Sequence, residues 1–213
     1  MRVTVFGATG GIGSLIVTEL LERGHDVSVH ARDTTKVPAL WANRTRVVTG
    51  PLSDPSVVDA AVTGADAVIS ALGPSLDRKA VERPLVAGTA NILDAMRHHG
   101  VTRYISLATP SVGDPHEKAT LQRRAVAFMG RTLLPRAYEE LLGMTRLAMS
   151  PDFRWTVVRF TAPKDGPPKE SLRVGFFGSD KIGFAITRAD IAAFTAAQVD
   201  DDHYVHRAPA ISN

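Results

Sequence analysis

Arg2-Val3-Thr4-Val5-Phe6 runs directly into Gly7-Ala8-Thr9-Gly10-Gly11-Ile12-Gly13, and the glycines open an apolar helical stretch. Strand, glycine turn and helix in that order constrain the fold more than any other feature of the chain. Gly7 permits a tight turn, Gly10 lets backbone approach an anion, and Gly13 lets the helix pack close to the strand. The N–H groups and dipole of a helix N-terminus favour a pyrophosphate at such a turn. The spacing Gly7-x-x-Gly10-x-x-Gly13 differs from G-x-G-x-x-G by one residue in its first gap, and its setting between strand and helix carries the reading.

The pattern continues as alternating strands and helices. Ile12, Leu15, Ile16 and Leu20 share a helical face that ends at Gly24, and Asp26 to Arg32 alternates as a second strand. A polar segment from Asp33 precedes a small strand at 46–49. Asp54-Pro55 starts a helix with Asp as N-cap and Pro in its first turn. Ala67 to Ala71 reads as a buried strand, followed by a charged loop from Ser75 to Arg83. Pro84 begins a long amphipathic helix ended by Gly100, and a fifth strand runs from Thr102 to Ala108. This alternation predicts an α/β fold: a Rossmann-type, doubly wound parallel sheet. Beyond Pro110 the spacing predicts helices over 119–129 and 138–150, broken near Pro135. A strand is expected at Trp155–Phe160, a loop over Ala162–Asp180 with a small strand at 172–176, and a helix capped at Thr187. A closing strand is expected at Tyr204–Ala208. One domain spans 1–213, with a cofactor part to about residue 110 and a small C-terminal substrate lobe after it.

Composition narrows the function classes. The chain has 213 residues, 44% of them hydrophobic and 22% charged, with a net charge of +3 and no cysteine. Without cysteine there are no disulfides, thiolate metal sites or cysteine nucleophiles. No Lys/Arg block points to nucleic acid. No apolar run approaches the roughly 18 residues of a membrane helix. These features predict a soluble, cytoplasmic protein with a small-molecule substrate, no nucleic-acid or membrane partner, and a monomeric or homodimeric state.

The second strand ends in His30-Ala31-Arg32, with Asp33 after it. An Arg at this position pairs with a ribose 2′-phosphate, whereas an acidic residue marks NAD. Arg32 therefore favours NADP (NADPH) over NAD, with Asp33 still within reach of a ribose hydroxyl. Ligands in open α/β sheets lie outside the carboxyl ends of the strands. Leu52 and Asp54 are placed to border the adenine. Ala71, Leu72 and Gly73 form a strip poor in side chains beside the ribose and phosphates, and Thr109 sits at the nicotinamide end.

Together these stretches resemble the atypical short-chain dehydrogenase/reductases, in the group that includes biliverdin-IXβ (flavin) reductase and the nitrogen-metabolite-repression regulators. The resemblance rests on Gly7–Gly13, His30–Asp33, Gly64–Gly73, Gly88-Thr89-Ala90-Asn91-Ile92 with His98-His99-Gly100-Val101, and Thr187–Ala192. It implies pyrophosphate contacts from Gly7, Thr9, Gly10, Gly11 and Ile12, a 2′-phosphate contact from Arg32, and cofactor contacts from Leu72, Gly73 and Thr109. Pro51 departs from the Asp common in relatives, which leaves the adenine to the Leu52 backbone or Asp54.

The main short-chain dehydrogenases use Tyr-x-x-x-Lys. Here Tyr104, Tyr138 and Tyr204 are followed four residues on by Ala108, Leu142 and Ala208, so the usual proton-donating pair is missing. Tyr138, with Arg136 just before it, is the nearest substitute, and Thr109 stands where biliverdin reductase-like relatives carry Ser. Those relatives also place a His where this chain reads Thr161-Ala162-Pro163. Hydride transfer to a flavin, quinone or similar conjugated acceptor needs less acid catalysis, because the product anion is delocalised and geometry supplies much of the rate. The acceptor would lie against Thr109, Tyr138 and the Thr161–Asp180 loop, roofed by Phe176-Phe177. A non-catalytic NADP(H) sensor is the second reading, and an isomerising enzyme is a third. For His98-His99 and His203-x-x-His206 the sequence shows no converging carboxylate, and no metal is expected.

Overall fold

The computed structural model describes residues 1–41, 43–75, 84–117, 121–169 and 171–213, with backbone alone at 121–123. The loop expected at Ser75–Arg83 falls, after Ser75, outside the described residues. The first half follows the sequence pattern closely. It comprises β1 (Arg2–Phe6), α1 (Gly13–Glu22), β2 (Asp26–Ala31), β3 (Thr45–Thr49), α2 (Pro55–Val62), β4 (Ala67–Ser70), α3 (Pro84–His98) and β5 (Arg103–Ala108). After it come α4 (Leu121–Leu133), α5 (Pro135–Ala148), β6 (Arg154–Arg159), β7 (Ala162–Lys164), β8 (Arg173–Gly175), β9 (Ala185–Thr187), α6 (Arg188–Ala197) and β10 (Ala210–Ser212).

The main sheet has the order β3-β2-β1-β4-β5-β6-β10-β8. All its pairings are parallel except β10 with β8. The order reverses between β1 and β4, where a doubly wound sheet opens its binding crevice. Val3, Val5, Val29, Ile69 and Ile105 face one core with Ile16, Leu20, Ile191 and Ala196 of α1 and α6. Phe6, Val68 and Tyr104 face the other with Val58, Ile92, Met96 and Leu141 of α2, α3 and α5. Both faces are covered, which is why the strands read as nearly continuous apolar runs.

The second half departs from the sequence reading in three places. The break expected near Pro135 falls between α4 and α5, but α5 begins at Pro135 itself, three residues before the expected start at 138, because a first-turn proline lacks only an N–H that has no intrahelical partner. The segment expected to be a loop holds β7, which pairs with β9 as a separate two-stranded sheet. The closing strand is Ala210–Ser212, not Tyr204–Ala208. Residues 204–208 do run beside β6, with the Val157 N–H donating to Arg207 and a bridge at Thr156–Arg207. His206 has φ +59, however, which turns the chain out of strand geometry. His203 and His206 therefore lie in a turn, and His206 Nε2 sits 2.9 Å from the Phe153 carbonyl oxygen.

One buried cation ties the ends of the sheet to a helix. Arg103, 2% exposed at the start of β5, donates to Gln198 O, Asp201 O, Arg154 O and Thr156 Oγ1. Burial, followed by the nearby Arg154, lowers its guanidinium to about 10, so it stays charged at neutral pH. Two of its acceptors follow the last turn of α6, where the helix dipole favours a positive charge. Arg103→Met should cost about 3 kcal/mol, because several buried carbonyls lose their donor at once. Arg103→Lys should cost less, and urea unfolding midpoints of the two variants measure the difference.

Candidate functional site

The glycine turn sits at the switch point. Gly7 has φ +76, and a Cβ there would lie 2.8 Å from the Ala71 carbonyl. A Cβ at Gly13 would run into the Gly7 carbonyl oxygen. The ends of β1, β4 and α1 therefore meet backbone to backbone, with Thr9, Gly10 and Gly11 exposed on the rim. No side chain caps α1, and its first turn carries no acidic residue. Among the described residues, the N–H groups of Gly11, Ile12 and Gly13 donate to no acceptor. Three free donors and a helix N-terminus form a cradle that fits a pyrophosphate.

Two arginines lie at the carboxyl ends of the strands or on the helix beside this cradle. Arg32 follows β2 and is exposed. Arg188, the first residue of α6, lies across the turn, with its Nε 3.6 Å from where a Gly11 Cβ would sit. It is ion-paired to Asp165, which follows β7. The sequence reading passed over Arg188, and only the packing of α6 against α1 brings it here. The Thr187 cap could have flagged it: Thr187 Oγ1 accepts from Asp190 N at 3.1 Å, which fixes where α6 begins.

The expected adenine border is built from a clamp. Asn91 Nδ2 donates to Leu52 O at 2.8 Å, and Gly88 lets α3 approach the Leu52 side chain. Asp54 caps α2 through Ser56 N (2.9 Å), and Asp33 accepts from Thr35 N (2.9 Å) and Thr35 Oγ1 (2.7 Å). Both carboxylates are held below their ordinary range, first by the neighbouring hydroxyl and then by the backbone N–H. Ala71 and Leu72 are half-buried beside the turn, and a Cβ at Gly73 would meet open space.

At the end of β5, Thr109 is exposed and its Oγ1 lies 2.6 Å from Ser111 Oγ, a second hydroxyl the sequence reading had not named. Tyr138 is half-buried in α5, its ring packed on Gly130 of α4. The other two tyrosines are poor proton donors. Burial pushes Tyr104 up to about 12, and burial with Asp201 and Asp180 raises Tyr204. Phe176 and Phe177 do not act as a pair. Arg207 lies 3.9 Å over the Phe176 ring, while Phe177 is buried beside Arg159.

Arg159, at the end of β6, forms a buried two-pronged pair with Glu117, both distances 2.7 Å. Glu117 Oε1 also accepts from Phe177 N, so one carboxylate joins the segment after β5 to the segment after β8. A cleft of about 500 Å³ lies at the opposite edge of the sheet, lined by Arg2, Arg44 and Arg46. Arg2 and Arg46 there donate to Gly64 O and Thr63 O at the end of α2. The glycine turn lies at the other edge, where the strands end.

The NAD(P)H-binding family model matches residues 7–202. The chain belongs to this NAD(P)H-binding family. A 2-alkyl-3-oxoalkanoate reductase from Stenotrophomonas maltophilia (strain K279a) is 34% identical over 115 residues. That match covers 53% of this chain and 34% of the reductase, so the chain spans about a third of that relative. A short-chain dehydrogenase/reductase from Veillonella parvula, solved in complex with NADP, superposes with a TM-score of 0.79 at 17% identity, covering 100% of this chain and 94% of the other. ChuY, an anaerobillin reductase from Escherichia coli O157:H7, superposes with a TM-score of 0.77 at 20% identity, covering 99% and 96%. No helix of the described residues is long and apolar enough to cross a membrane.

Two outcomes test this geometry. Glu117→Gln should cost about 3 kcal/mol in denaturant unfolding, since it strands a buried guanidinium. His30, at the end of β2, is lowered from 6.5 chiefly by burial, against a hydrogen bond to Gly50 that raises it. As pH falls below about 6.5, the unfolded chain takes up a proton that the folded chain refuses, so His30 stabilises the fold above that range and the contribution is lost on acidification. Stability should decline from pH 7 toward 5, and His30→Leu should flatten that slope.

Proposed function

We propose that the protein is an NADP(H)-dependent reductase that delivers hydride to a flavin, quinone or similar conjugated acceptor. The observation that carries the cofactor half is the uncapped N-terminus of α1 with Arg188 beside it, while Arg32 follows β2, the strand paired with β1. A dinucleotide phosphate brings charge to three places: the 2′-phosphate and the two phosphate groups of the pyrophosphate. Arg32 answers the first, and the turn N–H groups with Arg188 answer the others. Leu52, Asp54, Ala71, Leu72 and Gly73 border the adenosine side, and Asp33 supports the strand end that carries Arg32.

NADPH supplies the hydride when bound. The chain's part is to hold the nucleotide by Gly7, Thr9, Gly10, Gly11 and Ile12, and to present Thr109 and Ser111 hydroxyls at the end of β5. Those hydroxyls orient an acceptor by hydrogen bonding, and water supplies the proton. This division suits a chain without Tyr-x-x-x-Lys, because an acceptor whose negative charge is delocalised needs orientation more than a strong acid. In this reading Tyr138, half-buried on α5, edges the acceptor. The reductase activities of the named relative and of ChuY agree in direction with this reading. The missing tyrosine–lysine pair also favours a second reading, a non-catalytic sensor of the NADPH/NADP⁺ ratio.

Calorimetry with NADP⁺ and NAD⁺ tests the site. NADP⁺ should bind more tightly, and Arg32→Ala should weaken NADP⁺ about 30-fold, leaving NAD⁺ nearly unchanged. Arg188→Ala should weaken both nucleotides about equally, by roughly 10-fold, because the pyrophosphate is common to them. Equal affinities for the two nucleotides in the parent protein would overturn the NADP assignment. NADPH oxidation with a panel of flavins and quinones tests the reaction: turnover supports the reductase, and tight binding with no turnover supports the sensor.

A further inference from the structure

The sequence reading found no carboxylate converging on His98-His99, and the structure corrects it. Asp59 of α2 reaches across to the end of α3, with Oδ1 2.7 Å from His98 Nδ1 and 3.0 Å from His99 Nε2. We propose that Asp59, His98 and His99 form a binding site for a divalent transition metal of the zinc, cobalt or nickel kind, which staples α2 to α3.

The local structure explains how two consecutive histidines share a target. His98 is the last residue of α3, the His99 N–H still bonds to Ala95 O, and Gly100 at φ +68 ends the helix. The rings lie 4.6 Å apart at this unwinding end and point to the same carboxylate. The three ligand atoms all fall within 4.8 Å of one another. A tetrahedral ion with bonds of about 2.0–2.2 Å holds its ligand atoms about 3.3 Å apart. The two carboxylate–imidazole contacts, 2.7 and 3.0 Å, need to open by only about 0.5 Å toward that spacing, and His98 is 71% exposed.

The donor chemistry selects the ion. Two imidazole nitrogens and one carboxylate oxygen suit zinc, cobalt or nickel, and do not suit magnesium or calcium, which prefer all-oxygen sites. The field also favours a cation. Both α2 and α3 run antiparallel to the strands, so their C-terminal ends meet at this edge of the sheet, with Asp59 in the last turn of α2. Asp59 has no Lys or Arg partner among the described residues, and its carboxyl is held low chiefly by the His98 hydrogen bond. The edge is opposite the glycine turn, so the site is independent of the nucleotide reading.

The test uses untagged, full-length protein titrated with ZnCl₂ and CoCl₂, followed by calorimetry and by the visible absorption of bound cobalt. One ion per chain should bind in the micromolar range and raise the thermal unfolding midpoint. Asp59→Asn, His98→Gln and His99→Gln should each reduce affinity at least tenfold, while His203→Gln and His206→Gln leave it unchanged. Circular dichroism of each variant confirms that it folds. No one-to-one binding below millimolar metal, or binding that survives both Asp59→Asn and His99→Gln, would overturn the proposal.

Discussion

The structure depends on a steric constraint at its first turn. The carbonyl of Gly7 occupies the space a side chain on Gly13 would need, and the carbonyl of Ala71 occupies the space a side chain on Gly7 would need. Removing two Cβ atoms lets β1, β4 and α1 close to backbone contact. That closure places the start of α1 over the crevice at the strand reversal and directs its free N–H groups outward. The open helix end is thus a by-product of packing: the glycines that seat the helix also leave its N-terminus uncapped.

The C-terminal half is held differently, by long-range polar clamps. Asp190 accepts from its own cap residue Thr187, from the Lys169 backbone and from Asn213. Glu117 joins Arg159 to Phe177, and Asp114 accepts from Arg207 and the Ala208 N–H. Each carboxylate gathers segments far apart in the chain, and each is buried deeply enough that losing a partner is costly. These clamps hold irregular segments, such as 165–169 and 201–209, that have little regular backbone pairing of their own.

That difference explains what the sequence could show. In the first half, hydrophobic period and glycine punctuation carry the information locally, and the elements through β5 were legible to within a few residues. Residues 204–208 misled because Tyr204 and Val205 have β propensity while the left-handed His206 breaks the strand, a conformation no local pattern announces. The same holds for the site. Gly7, Gly10, Gly11 and Arg32 stand in a recognisable frame. Arg188 is 177 positions from Gly11, and only the docking of α6 on α1 brings the two together. Asp59 and His99 meet through the packing of two helices that the sequence had placed separately.

The helix ends assign these roles in a way single residues do not. Asp54 caps α2 and Thr187 caps α6, each with a side chain that satisfies first-turn N–H groups. Helix α1 has no such cap, although Thr9 and Ser14 lie close by. A helix start without a cap forgoes about 1 kcal/mol of stability. Leaving that cost uncompensated makes physical sense where an external anion completes the end. The opposite polarity holds at the far edge, where the C-terminal ends of α2 and α3 come together around two imidazoles and one carboxylate. The helix dipoles thus turn opposite ends to the two edges of the sheet: the N-terminal end of α1 where the strands finish, and the C-terminal ends of α2 and α3 where they begin.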